Sequence, residues 1–290
     1  MTRKTRNPGS HPAERFVAPS SIQSGVPLSH LLGGQAVELL AESMAAVMPT
    51  FDVQRFRRVA LKGIDELGLM ERAAHLADTL TEELPTHFPA AAQIIVKSLG
   101  PELTATEGNG LAPFFYLPHS QWISRQTAAD LDQSLSICYE LTKRFTAEFC
   151  IRPFLIEHQD ETLLRLSSWA TDSNPHVRRL VSEGTRPRLP WGMRLKAFQA
   201  DPRPVLELLE LLKDDPVPYV YRSVANHLGD ILKDNLDTGF ATCERWLQEV
   251  ARQGVDPQRV KTRHWIIRHA VRNPAKQGDS RALRLRVAAK

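Results

Sequence analysis

The sequence is poor in the residues that build disulfide and metal chemistry. Its three cysteines, Cys138, Cys150 and Cys243, form no CxxC pair and read as ordinary buried thiols of a reducing compartment. Its ten histidines include no HExxH and no ligand-spaced pair, so neither a zinc site nor any other cofactor is expected. No Gly-rich phosphate loop occurs, which argues against a nucleotide enzyme. No stretch approaches the roughly 20 uninterrupted apolar residues that a membrane helix needs. The polar segment Met1 to Ser21 is followed by no apolar run that would make it a secretory signal, so a cytoplasmic protein is expected. Strand signals are nearly absent as well: few segments alternate at period two, and β-branched residues rarely cluster.

What is present is ample core material, 42% apolar residues at a mean hydropathy of −0.30. The net charge of +4 decides little, but its distribution does. From His176 to Lys196 the chain carries Arg178, Arg179, Arg186, Arg188, Arg194 and Lys196 against a single acid, Glu183. Residues 1–25 are expected to form a disordered basic arm, in which Arg3, Lys4 and Arg6 either add non-specific phosphate attraction or are merely solvated. Residues 26–290 are expected to form one domain.

Apolar residues recur three and four apart over Ala36 to Met48, Phe56 to Leu67, Met70 to Leu80, Phe88 to Leu99 and Leu131 to Phe149. The same spacing returns over Thr162 to Trp169, Val205 to Leu212 and Phe240 to Val250. Short breaks rich in Gly, Pro and Asp separate these runs, which predicts antiparallel neighbouring helices. Comparing the chain with itself aligns HVRRLV, starting at His176, with YVYRSV at Tyr219 and WIIRHA at Trp265. In the first two copies Pro175 falls on Pro218 and Asp172 on Asp215, while Leu163, Leu166 and Trp169 fall on Leu206, Leu209 and Leu212. Leu164 on Glu207 breaks the match. A helix, an Asp/Pro turn and a second helix, repeated every forty-odd residues, is the pattern of HEAT-like repeats. The fold class expected is therefore all-α, a solenoid of stacked antiparallel helix pairs with a concave basic groove.

An arginine recurs at the fourth place of each aligned segment: Arg179, Arg222 and Arg268. One position of the second helix returns to the inner wall at every repeat, so these would form a ladder of guanidinium groups suited to phosphates. The alternative is that they cap the neighbouring repeat by pairing with its aspartate.

Four segments resemble a known family. They are ALKGIDEL from Ala60, YELTKRFTAEFCIRPF from Tyr139, NPHVRRLVSEGTRPRLPW from Asn174 and SVANHLGDILKD from Ser223. Together they are similar to the AlkC-type DNA alkylation repair glycosylases of the AlkC/AlkD HEAT-like superfamily, over most of the chain after about residue 30. The resemblance implies a monofunctional, monomeric glycosylase acting in base excision repair. It would excise cationic N3- and N7-alkylated purines from duplex DNA, in association with the nucleoid. Alkylation already makes the base a good leaving group, so the enzyme must hold the distorted site and stabilise an oxocarbenium-like sugar with a carboxylate. Some AlkC-type proteins carry an additional C-terminal immunoglobulin-like domain, and no counterpart is expected in this sequence.

The candidate catalytic carboxylates are Glu148, Glu157 and Asp230, with Glu183 behind them. Glu148 leads because it lies in a family-like segment, one turn before Arg152; a salt bridge to Arg144 or Arg152 is the competing use. Glu183 has the alternative of orienting Arg179. Asp230 has the alternative of pairing with a neighbouring repeat. Candidate DNA contacts are Arg152, Arg178, Arg179, Arg186, Arg188, Arg222, Asn226 and Arg268, with Trp191 in a Pro-flanked basic loop. That indole either stacks on DNA as a wedge or covers the core between repeats, whereas Trp169 and Trp246 fall on apolar faces. A second class of function, a non-catalytic scaffold binding DNA or a protein, fits the arginine ladder equally. A carboxylate on the same face as the arginines would favour the glycosylase.

Overall fold

The structure, a computed structural model, describes residues 10–290 and divides into two compact units, the first ending at Pro153 and the second spanning Phe154–Lys290. Among the described residues every regular element is helical, and no helix is long and apolar enough to cross a membrane. The sequence predicts one repeat domain over 26–290, and within it the contacts gather into these two units.

The first unit contains α1 (Pro12–Arg15), α2 (Gly34–Val47), α3 (Val53–Leu61), α4 (Leu69–Glu83), α5 (Phe88–Lys97), α6 (Leu117–Ile123) and α7 (Leu131–Thr142). Asp52 and Asp130 cap α3 and α7 by accepting from the N–H groups of Arg55 and Gln133. Helix α4 packs on α3 and α6, and α5 on α2 and α7, around buried Phe56, Leu76, Leu80, Ile95 and Phe115.

Three expectations need correction here. Residues 10–25 are not a loose arm: Phe16 is buried against Phe115, Arg15 pairs with Glu42, and Leu111 N–H donates to Pro19 O. An aromatic at position 16 has a core to join, which composition alone hides. Arg3, Lys4 and Arg6 lie outside the described residues. The run Phe56 to Leu67 is not one helix, because Gly63 takes φ 71° after α3 and a single 3-10 turn, Ile64–Glu66, follows. Likewise Leu131 to Phe149 is helical only to Thr142, so Glu148 sits in an irregular turn rather than on a helix.

The unit boundary falls within α8 (Arg152–Glu157). The second unit then runs through α9 (Gln159–Trp169), α10 (Pro175–Gly184), α11 (Lys196–Ala200), α12 (Arg203–Leu212), α13 (Pro218–Asp234), α14 (Leu236–Val250), α15 (Pro257–Ala270), α16 (Arg272–Lys276) and α17 (Ser280–Ala288). Helices α10, α13 and α15 lie side by side, and α9 packs on α12, which is the stacking of HEAT-like pairs. Each of the three adjacent helices opens with proline, at a position whose N–H has no helical partner. The third is not a strict copy: α15 begins about two turns earlier than the alignment of Tyr219 with Trp265 implies. As the Asn273-Pro274 pair suggests, it also ends early, at Ala270. Trp169 and Trp246 are core, and all three cysteines are buried.

Candidate nucleic-acid interface

The repeat places the C-terminal half of α10 against α13, and this brings Glu183, Arg186 and Asp230 together. Arg186 stands at their centre. Its Nη1 donates to Glu183 Oε1 at 2.6 Å and its Nε to Asp230 Oδ2 at 2.8 Å. Arg179 Nη2 lies 3.6 Å from the same Glu183 oxygen, Ser223 donates to Glu183 Oε2 at 2.6 Å, and Lys233 donates to Asp230 Oδ1 at 2.9 Å. All three central side chains are buried. Burial pushes the Glu183 carboxyl up, but the guanidinium groups of Arg179 and Arg186 and the Ser223 hydroxyl outweigh it and hold the acid below its ordinary value. Burial works against the charge of Arg186 too, and the two carboxylates overcome it.

Beneath this cluster His227 is fully buried. Its Nδ1 lies 2.9 Å from Ser182 O, which can only accept, so Nδ1 carries the proton. Burial first, and the charge of Arg186 second, drive its pKa down to about 3.

A row of rings runs from the N-terminal ends of α10 and α13 onto the C-terminal half of α15. His176 meets Tyr219 edge-on at 5.2 Å, and Arg179 covers the Tyr219 ring at 4.8 Å. Tyr221 packs on Trp265 at 4.9 Å, and Trp265 stacks on His269 at 4.7 Å. Arg222 is exposed beside them, while Arg268 donates to Ala289 O. Asn226 Oδ1 meets His269 Nε2 at 3.0 Å and accepts from Arg272 at 3.1 Å. Burial and the like charge of Arg186 lower the pKa of Arg272, and Asp230 partly opposes them.

Other candidate arginines are committed to structure. Arg178 reaches Asp215 of the next repeat at 2.5 Å and donates to Asp172 O and Ser173 O, so the inter-repeat pairing considered for Arg179 falls to its neighbour. Arg188 grips Asp234, Nε to Oδ2 at 2.7 Å, and this bond foremost holds the Asp234 carboxyl below its ordinary value. Between Arg188 and α11 the loop displays Trp191, which is 64% exposed and does not cover the core between repeats.

Of the remaining carboxylates, Glu157 is exposed at the end of α8. Glu148, in the first unit, is buried and accepts from Thr146 Oγ1 at 2.8 Å, while Arg144 pairs with Glu140. Arg152 is fully buried.

Sequence reasoning missed Arg272, His269, His227 and the rings at Tyr219, Tyr221 and Trp265 as members of this face. A signal existed for Arg272: carrying the repeat offset past Ala270 places Arg272 on Asn226, its actual partner.

Chemically, the face joins anions fixed by guanidinium groups to half-exposed aromatic rings. Each carboxylate oxygen of Glu183 and Asp230 already accepts a bond, and spare lone pairs remain on both groups.

No model of a known protein family matches the chain. It is 34% identical over 259 residues to the uncharacterized protein YhaZ of Bacillus subtilis (strain 168), which spans 89% of this chain and 67% of that relative. A solved structure of the Pseudomonas fluorescens alkylpurine DNA glycosylase AlkC, bound to DNA containing an abasic site analog, matches with a TM-score of 0.78. The identity there is 34%, and the match covers 90% of this chain and 68% of that one. With a shared fold and a third of all aligned residues identical along nearly its whole length, the chain belongs to the AlkC family of DNA glycosylases.

Proposed function

We propose that this protein hydrolyses the N-glycosidic bond of cationic N3- and N7-alkylated purines in duplex DNA, acting as a monomer. The observation that carries this reading is the likeness, over 90% of the chain, to a glycosylase bound to DNA with an abasic site analog. Geometry adds a face on which carboxylates, arginines and aromatic rings lie together. Water attacks C1′ of the sugar, the bond to the ring nitrogen breaks, and the alkylated base leaves with the bonding electrons as a neutral molecule. The water proton passes to a carboxylate or to solvent. Glu148 is the carboxylate we assign to stabilising the sugar cation, ahead of Asp230 and Glu157. Arg179, Arg222 and Asn226 are assigned to DNA, whereas Arg178, Arg186 and Arg188 support the face through their ion pairs and Arg152, fully buried, has no surface to offer it.

The scaffold reading keeps one specific point in its favour: Glu183 and Asp230 are bound to Arg186, so they also serve to stitch repeats together. Release of methylated purines from duplex DNA, wild type beside Glu148→Gln, separates the two. Binding to a duplex with an abasic-site analogue is measured in parallel. The variant should bind normally and release base at least about 100-fold more slowly, the scale of losing one preorganised electrostatic stabiliser. An active variant would pass the role to Asp230, Glu157 or Glu183. A wild type that binds DNA and releases nothing would favour the scaffold.

A further inference from the structure

Trp191 is the sole non-glycine residue with positive φ among the described residues, at 62°. It is also among the most exposed large apolar side chains, at 64%. Both features are unfavourable in an isolated protein: a bulky residue in the left-handed region is strained, and an indole in water gains nothing from burial. They persist because the loop is pinned on both sides. Leu189 and Leu195 are buried, and Leu195 N–H donates to Pro187 O at 3.3 Å. Gly192 lies so close to Leu189 that a Cβ there would stand 2.8 Å from its Cδ2. Arg188, three residues before Trp191, is locked to Asp234. Pro187 and Pro190 stiffen the segment between these anchors. The indole is thus held out rigidly, with exposed Arg194 and Lys196 just beyond it in the chain.

A flat apolar ring presented beside cations matches one partner chemistry well: a nucleobase flanked by phosphates. Any base offers a π-face to such a ring, whatever its identity. In intact duplex that face is covered by its neighbour; where a base is lost or unstacked, it is open. Resting on the DNA reading above, we propose that Trp191 is a pre-set wedge that stacks on the base bordering a damaged or vacant position. It thereby sets the preference for damaged over intact duplex.

The test compares wild type, Trp191→Ala and Trp191→Phe on two duplexes of one sequence, one intact and one carrying an abasic-site analogue flanked by 2-aminopurine. Trp191→Ala should bind the abasic duplex about tenfold more weakly, the scale of one lost base–aromatic stack, and intact duplex within about twofold of wild type. Quenching of 2-aminopurine should follow wild type, persist in part in Trp191→Phe and vanish in Trp191→Ala. Equal weakening on both duplexes, or no change on either, overturns the wedge. So does a wild type that shows no preference for the abasic duplex. The wedge and the glycosylase fail separately. Methylpurine release with an unchanged Trp191→Ala preference sinks only the wedge, while a Trp191-dependent preference without base release sinks only the catalysis.

Discussion

At the scale of single residues, Arg186 is the group whose loss reaches furthest. It neutralises two buried carboxylates from neighbouring repeats, and neither can escape to water if it is removed. Arg186→Met should therefore destabilise the fold by up to about 3–5 kcal/mol, the usual cost of stranding buried charge, reduced by what Arg179 and Lys233 still compensate. Arg186→Lys should recover only part of that, since an ammonium group lacks the fork that serves both partners at once. Denaturant unfolding of the three proteins checks both statements. The buried histidines yield a prediction in pH. Burial holds His119 and His227 at about 3, against about 6.5 in an unfolded chain. Between those values the unfolded state binds protons that the folded state refuses, so stability falls as pH drops from 6.5 toward 3. The slope is up to about 1.4 kcal/mol per pH unit for each histidine. His227→Asn should flatten the dependence by about one proton between pH 6 and 4, measured as unfolding free energy against pH.

At the scale of helices, α13 and α14 approach so closely that Gly239 has no room for a side chain. A Cβ there would lie 2.6 Å and 2.7 Å from two carbons of buried Leu232. Gly239→Ala gains up to about 1 kcal/mol of helix propensity but overpacks a closed contact, a cost of about 1–3 kcal/mol. A net loss of stability is expected, and Leu232→Ala in the same chain should offset part of the overpacking. Thermal unfolding of the single and double variants measures it. Helices were also what the sequence disclosed most readily. Apolar spacing located α2, α4, α5, α9, α12 and α14 to within a few residues, because each buries one continuous stripe. It overran α7, because Phe145 and Ala147 are buried from an irregular turn, and burial without helix has the same apolar signature. The short helices α1, α6 and α11 were missed, having too few turns to show a period.

At the scale of the whole molecule, the number of basic residues overstates what is available to DNA. The chain carries 37 lysines and arginines, yet Arg178, Arg186, Arg188, Arg263 and Arg281 are each bound to carboxylates of other elements. Counting arginines along His176 to Lys196 thus showed a basic segment but not which members were already engaged. Their acidic partners lie some 40 residues further on, beyond any local window. The salt dependence of DNA binding reads the difference. Arg222→Ala should reduce the slope of log K against log salt by about 1. Arg178→Ala should leave that slope nearly unchanged and instead lower stability, visible as an earlier unfolding midpoint. The family, by contrast, was legible from the resemblance of four segments, and the solved relative bears the family out.

Those polar ties between repeats share one feature, their reach along the chain. Arg178 to Asp215 spans 37 residues, Ser223 to Ser182 41, Arg186 to Asp230 44, Arg188 to Asp234 46 and Arg263 to Asp214 49. A helix pair of the second unit therefore has every such partner in hand once the next forty to fifty residues exist. At synthesis rates of roughly 5–20 residues per second, that takes on the order of 2–10 s. Each layer can be fastened as soon as the following one is made, so Arg178 and Arg186 wait for no segment beyond the next repeat. Assembly of this unit should proceed from its N-terminal side, layer by layer, at the pace of the ribosome.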